Sequence, residues 1–236
     1  MDFKKNKWTE ADYDDFLEYL YSISDNNYRL FQSRIIPNTN IIGINIPTLK
    51  KISKDVSKGN YDNFISLNKK TFFEEIMIHG LVIGYVKVPF NEKMRLLDQF
   101  IDFIDNWAVC DTICANMKDF KLNLDNGYEF IKKCLSSYDT YRIRVGLVLL
   151  LDYYINDIYI KDIFDICNNI KSDEYYVKMA NAWLISMCYI KYPKLTLKFY
   201  RKNKLDKWTH NKAIQKTIES KRVSEEEKKM LSLLKV

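Results

Sequence analysis

Six glycines and four prolines are all that 236 residues contain. That is roughly 4% of the chain, against about 12% in an average protein. All-β folds need far more turn-forming residues than this. No glycine-rich phosphate loop occurs, which removes the Rossmann and P-loop readings. No stretch of 18 apolar residues exists to span a membrane, and the opening MDFKKNKWTE has no apolar core of the signal-peptide kind. The five cysteines, Cys110, Cys114, Cys134, Cys167 and Cys188, include no CxxC pair. The two histidines, His79 and His210, lie far apart without ligand spacing, so neither a zinc site nor any other metal is expected. Reduced, mostly buried thiols in a cytoplasmic protein are the expectation. No organic cofactor is implied. An aromatic content of 14% and an apolar content of 47% argue for a packed core rather than disorder.

Helical periodicity is what the chain does have. Thr9, followed by Glu10 and Asp12, predicts a capped helix start, with Tyr13, Phe16, Leu17 and Leu20 on one face. Pro37 to Asn45 reads as a loop, and Pro47 sits in the first turn of a helix carrying Leu49, Ile52 and Val56. Phe72 to Val86 is apolar nearly all round and is expected to be a central buried helix, with Glu74 and Glu75 suited to its N-terminal dipole. Further helices are expected at 93–104, 107–117, 127–135, 141–155, 160–170, 175–189, 193–203, 211–220 and 224–234. The connections are short and polar, and no linker divides the chain, so residues 1–236 are expected to form one domain. The predicted class is all-α: antiparallel helix pairs stacked as an α-solenoid, with a globular α-bundle as the alternative.

Charge is concentrated near the C-terminal end. Lys191, Lys194, Lys198, Arg201, Lys202, Lys204, Lys207, Lys212 and Lys216 face a single carboxylate, Asp206, over residues 191–216. That segment carries +8, more than the whole chain's +6. Lys191, Lys194, Lys198 and Arg201 are spaced for one helix face, Lys212 and Lys216 stand one turn apart, and Tyr192, Tyr200 and Trp208 are interleaved. A stripe that contacts nucleic-acid phosphates is the favoured reading. A solvated helix face and an anionic membrane surface are the competing ones.

A second feature lies in IDNWAVCDTIC, residues 104–114, where Trp107 and Asp111 are four apart and share a helix face. By spacing alone such a pair is more often a core tryptophan beside a surface or capping carboxylate. Arg142 and Arg144 precede a strongly apolar helix, and Trp183 sits inside YYVKMANAWLISM. Each has a plain structural reading, as an ion pair or as core packing.

Six stretches in order carry a resemblance: IIGINIPTLKKIS (41–53), FFEEIMIHGLVIGY (72–85), NWAVCD (106–111), YRIRVGLVLLL (141–151), YYVKMANAWLIS (175–186) and KAIQKTIESKR (212–222). Together they resemble the AlkD-like family of DNA alkylation-repair glycosylases, bacterial proteins built from HEAT-like repeats. The resemblance implies a curved α-solenoid with double-stranded DNA in a basic concave groove, and excision of 3-alkyladenine and 7-alkylguanine. It also implies that Asp111 is the catalytic aspartate, with Trp107, Trp183 and Arg144 in the active site. Arg142 is the alternative arginine if the register slips by two. Lys194, Lys198, Arg201, Lys202, Lys212, Lys216 and Arg142 are the expected DNA-binding residues, and a monomer is the expected state. Two departures stand out: Asn106 replaces an aromatic residue expected before Trp107, and Ile143 precedes Arg144 where the family pattern has Arg-Arg. The runner-up is a non-catalytic helical-repeat protein that binds distorted or branched DNA. A protein-interaction scaffold is the third reading.

Overall fold

A computed structural model describes residues 1–236. It contains fourteen α-helices and no strand. They are α1 (Glu10–Ser22), α2 (Asn26–Ile35), α3 (Ile46–Val56), α4 (Tyr61–Leu67), α5 (Phe73–Tyr85), α6 (Phe90–Ile101), α7 (Trp107–Asn116), α8 (Leu124–Leu135), α9 (Thr140–Leu149), α10 (Ile160–Asn169), α11 (Tyr175–Lys191), α12 (Pro193–Lys202), α13 (Lys207–Ile218) and α14 (Glu225–Ser232). A 3-10 turn covers Lys118–Leu122, and α9 ends in a π-helical turn, Leu150–Tyr154. The all-α expectation holds. No helix is long and apolar enough to cross a membrane. The five cysteines are buried and form no disulfide.

The chain divides into two compact units, Met1–Asp119 and Phe120–Val236. Consecutive helices pack as pairs, α5 with α6 in the first and α8 with α9, α11 with α12 and α13 with α14 in the second, and helices of alternate rank stack on one another: α3 on α5 and α5 on α7 in the first, α9 on α11 and α11 on α13 in the second. This is the solenoid-like signature, in which one helix of each pair stacks on its counterpart in the next. The stacked helices explain the apolar runs. α5 is buried around almost its whole circumference, whereas α12 buries only Thr196, Phe199 and Tyr200 and exposes the opposite face.

Two helices were not anticipated, α2 and α4. α2 buries one residue, Gln32, and α4 has seven residues, so neither carries an apolar stripe of useful length. Their signals are caps: the Asp25 and Asn60 side chains accept from the amides of Tyr28 and Asn63. The capped start of α1 is a full capping box between Thr9 and Asp12. Trp8, Phe16 and Phe64 then meet edge to face, with ring centroids 4.9–6.1 Å apart, and join α1 to α4.

Glu74 and Glu75 do more than complement the dipole of α5, for both are fully buried. Glu74 accepts from three consecutive amides, Ile42 (2.9 Å), Gly43 (2.8 Å) and Ile44 (3.2 Å). Glu75 accepts from the Tyr13 hydroxyl (2.6 Å) and from the amides of Thr71 and Phe72. The first unit is therefore threaded onto the N-terminus of α5. Gly43 makes the turn possible: its φ is +107°, and a Cβ there would lie 2.5 Å from the Asp25 carbonyl. Gly84 on α5 admits α7 closely, since a Cβ would lie 2.2 Å from the Asn116 amide nitrogen, which donates to the Leu81 carbonyl.

His79, also on α5, is packed against Phe100 and Phe103 (centroids 4.8 and 6.2 Å), and its Nδ1 has no partner. Burial, with the Lys70 charge as a lesser contribution, pushes its pKa down to about 3.

Two outcomes follow. Glu74→Ala orphans three buried amide donors at about 1–3 kcal/mol each, so urea denaturation should show a loss of about 3 kcal/mol or more; a loss below about 1 kcal/mol would contradict the role given to Glu74. His79 stays neutral in the folded state below the pKa at which the unfolded chain takes up a proton. Its depressed pKa therefore costs stability as pH falls below about 6.5, by up to about 1.4 kcal/mol per pH unit. His79→Leu should remove this slope and lose about 1 kcal/mol less than wild type between about pH 7 and 5.5 in parallel denaturations. Identical losses would refute it.

Candidate active site and nucleic-acid interface

α7 begins at Trp107 because Asn106 caps it: the Asn106 side chain accepts from the Val109 amide at 3.0 Å. Asn106 is 4% exposed, and its amide nitrogen donates to Asp105. The residue that departs from the family's aromatic pattern thus sets the first turn of the helix that carries the candidate aspartate. Val109, Cys110, Ile113, Cys114 and Asn116 face inward. The remaining stripe, Trp107, Ala108, Asp111, Thr112 and Ala115, is half-buried or exposed. Trp107 and Asp111 lie one turn apart on it, separated by little but small side chains. The Trp107 indole N–H donates to the Ile35 carbonyl at the end of α2 (3.2 Å), which anchors the ring. Trp107 is therefore not a core tryptophan, despite its helical spacing.

In the second unit, Arg144 on α9 is 4% exposed. Its Nη1 donates to the Tyr176 carbonyl of α11 at 2.8 Å, and its guanidinium lies 5.9 Å from the Tyr176 ring centroid. Arg142 is half-exposed, and its amide is capped by Asp139 (2.7 Å). The two arginines thus differ in kind: Arg144 is locked between stacked helices, whereas Arg142 stands on the first turn of α9. α11 is buried on most sides, yet Tyr176, Met179, Trp183, Met187 and Ile190 form one half-exposed stripe. Trp183 follows Tyr176 by seven residues, close to two full turns. It lies on that stripe, so plain core packing does not describe it.

The basic segment does not form one helix face. α11 ends at Lys191 and α12 starts at Pro193, with Tyr192 between them out of helical conformation (φ −131°, ψ 61°). Lys191 therefore belongs to α11, where its Nζ donates to the Ile155 carbonyl at 3.2 Å. Lys194, Lys198, Arg201 and Lys202 are exposed on α12, opposite its buried Thr196, Phe199 and Tyr200. Lys212 and Lys216 are half-exposed on α13, in line with Trp208 at i, i+4, i+8. Lys178, the one lysine on the helix of Trp183 near its N-terminus, pairs with Asp206 at 2.9 Å. No group of three His, Cys, Asp or Glu side chains is placed to hold a metal ion.

A family model described as DNA alkylation repair enzyme matches residues 16–217. The chain belongs to this DNA alkylation repair enzyme family. The AlkD-like resemblance is consistent with that membership. No protein of curated function matches the chain. The family match takes in Trp107, Asp111, Arg144 and Trp183, together with α12 and nearly all of α13. An enzymatic role in repairing alkylated DNA, with DNA as the substrate, follows from membership. The features that sequence reasoning missed are the Asn106 cap and the Ile35 carbonyl. Asn immediately before a helical run was the available signal for the first; the second depends on the unanticipated α2 and had none.

Proposed function

We propose that this family member is a monofunctional DNA glycosylase that hydrolyses the N-glycosidic bond of positively charged N-alkylated purines, 3-alkyladenine and 7-alkylguanine, in duplex DNA. The observation that carries the reading is the pairing of a half-exposed carboxylate and an anchored, half-exposed indole one turn apart on α7, Asp111 and Trp107, in a DNA alkylation repair enzyme. It works as a monomer in the cytoplasm, residues 1–236 acting as one domain.

The chemistry asks little of acid catalysis. Alkylation at N3 or N7 makes the purine cationic. When the C1′–N bond breaks, its electron pair leaves with the base, which departs neutral. The paired carboxylates of O-glycosidases are not required. Positive charge builds on the sugar instead, and water must add to C1′ and lose a proton. Asp111 stabilises the oxocarbenium-like sugar and orients that water. The faces of Trp107 and Trp183 attract the cationic base or sugar, at roughly 0.5–2 kcal/mol per cation–π contact. Arg144, already fixed by the Tyr176 carbonyl, holds a backbone phosphate. Arg142, Lys194, Lys198, Arg201, Lys202, Lys212 and Lys216 bind the backbone through counterion release. A lyase step has no suitable amine here, since Lys178 is engaged by Asp206.

The test is single-turnover release of 7-methylguanine from a defined methylated duplex, with a 3-methyladenine duplex beside it. Asp111→Asn should slow release by at least about 10-fold while duplex affinity stays within about 2-fold. Full activity in the variant would overturn the role of Asp111. Tight binding without release of either base by the wild type would favour the non-catalytic DNA-binding reading.

A further inference from the structure

Trp208 lies in the first turn of α13 and is 36% exposed. Tyr175, the first residue of α11 and 56% exposed, meets its edge with centroids 5.7 Å apart. The Lys178 and Lys212 ammonium groups stand 5.5 and 5.7 Å from the indole centroid. Hollows flank the ring. One is a shallow groove lined by Lys207, Lys212 and Lys235 as well as by Trp208 itself. The other is a cleft of about 380 Å³, whose charged lining is Lys171, Lys178, Lys204, Asp173 and Asp206, with Asn181 beside them. Lys178 lines the cleft and also stands over the ring, so the cleft adjoins the indole through this side chain.

The cleft has a property that simple surface does not share. Asn181 is 3% exposed, and its Oδ1 has no hydrogen-bond partner. Buried polar atoms are nearly always satisfied, and an orphaned oxygen on a cleft-lining residue suits a polar ligand. The cleft sets Lys171, Lys178 and Lys204 against Asp173 and Asp206, whereas the groove has three lysines and no carboxylate, so the groove side of the ring favours an anion. Between the hollows stands a flat aromatic face. An anion with a π-face and polar edges, on the scale of this cleft, is a nucleotide. In a duplex each base is already stacked and paired, so the ring suits one that is not.

We propose that Trp208, Tyr175 and the adjoining cleft form a platform for an unstacked nucleotide of single-stranded DNA. The base stacks on the indole, the phosphates lie against Lys204 and Lys207, and Asn181 bonds the sugar or base edge. Asn181 and Trp183 are two residues apart on α11, about 200° around the helix, so the platform opens away from the Tyr176–Trp183 stripe. It requires DNA as a partner and nothing of the chemistry at Asp111.

The experiment measures binding of the full chain to a fluorescein-labelled short oligothymidylate and to an undamaged duplex at low salt. Quenching of intrinsic tryptophan fluorescence by dTMP is read in parallel. Trp208→Ala should weaken the single strand by about 10-fold or more and leave the duplex within about 2-fold, while Trp208→Phe, which keeps a stacking face, should stay within about 3-fold of wild type. Quenching by dTMP that is lost in Trp208→Ala would extend the site to free nucleotides; strand binding without it would confine the site to the polymer. Unchanged strand affinity in Trp208→Ala, or equal losses on strand and duplex, would overturn the proposal. Because the readout is binding alone, failure here is distinguishable from failure of the glycosylase reading.

Discussion

One buried carboxylate organises the first half of the molecule. Glu74 collects the amides of Ile42, Gly43 and Ile44 and so pins the chain that links α2 to α3 onto the start of α5. That chain emerges from Ile35, whose carbonyl receives the Trp107 indole. The path from Glu74 through the loop and the end of α2 therefore reaches the tryptophan one turn from Asp111. A fully buried carboxylate is tolerated only because amide donors surround it. Gly43 is the residue that lets the backbone present them. A feature that holds the fold together thus also bears on the position of a side chain in the proposed active site.

Most of the helices were legible because burial follows helical periodicity. α5 was identifiable as central from its continuous apolar run, and α7 starts at Trp107 as expected. α2 and α4 escaped because a helix that buries one residue leaves no stripe to read. The split of the basic segment escaped for another reason. Charge spacing continues smoothly from Lys191 to Lys194, but Pro193 cannot donate the amide that a continuous helix needs, and Tyr192 breaks the run. Glu74 and Glu75 were visible as first-turn acids. In four of the six bonds that they receive, from Tyr13 and from Ile42 to Ile44, the partner lies 30 residues or more away, in tertiary structure that no local pattern encodes.

The candidate site was legible unevenly. Spacing alone placed Trp107 and Asp111 on one face but gave no reason to prefer a functional role. The structure adds that this face is the half-exposed one and that the indole is anchored. For Trp183 the surrounding sequence argued for core, whereas its stripe on α11 stays accessible. Arg144 shows the converse: a charged residue near a helix start is ordinarily exposed, yet here it is almost fully buried and hydrogen-bonded to a backbone carbonyl. The stacking of alternate helices accounts for all three, because it buries the flanks of α7, α9 and α11 and leaves narrow stripes open.

The proposed chemistry rests on a division of labour: the lesion brings the positive charge that weakens its own glycosidic bond, and the protein supplies one carboxylate and aromatic faces suited to a cation. The most direct test compares a cationic base with a neutral one in otherwise identical duplexes, 7-methylguanine against hypoxanthine, under single-turnover conditions. The account predicts release of 7-methylguanine with hypoxanthine left in place. Release of hypoxanthine at a comparable rate would contradict it, since a neutral purine needs leaving-group protonation that this account does not provide.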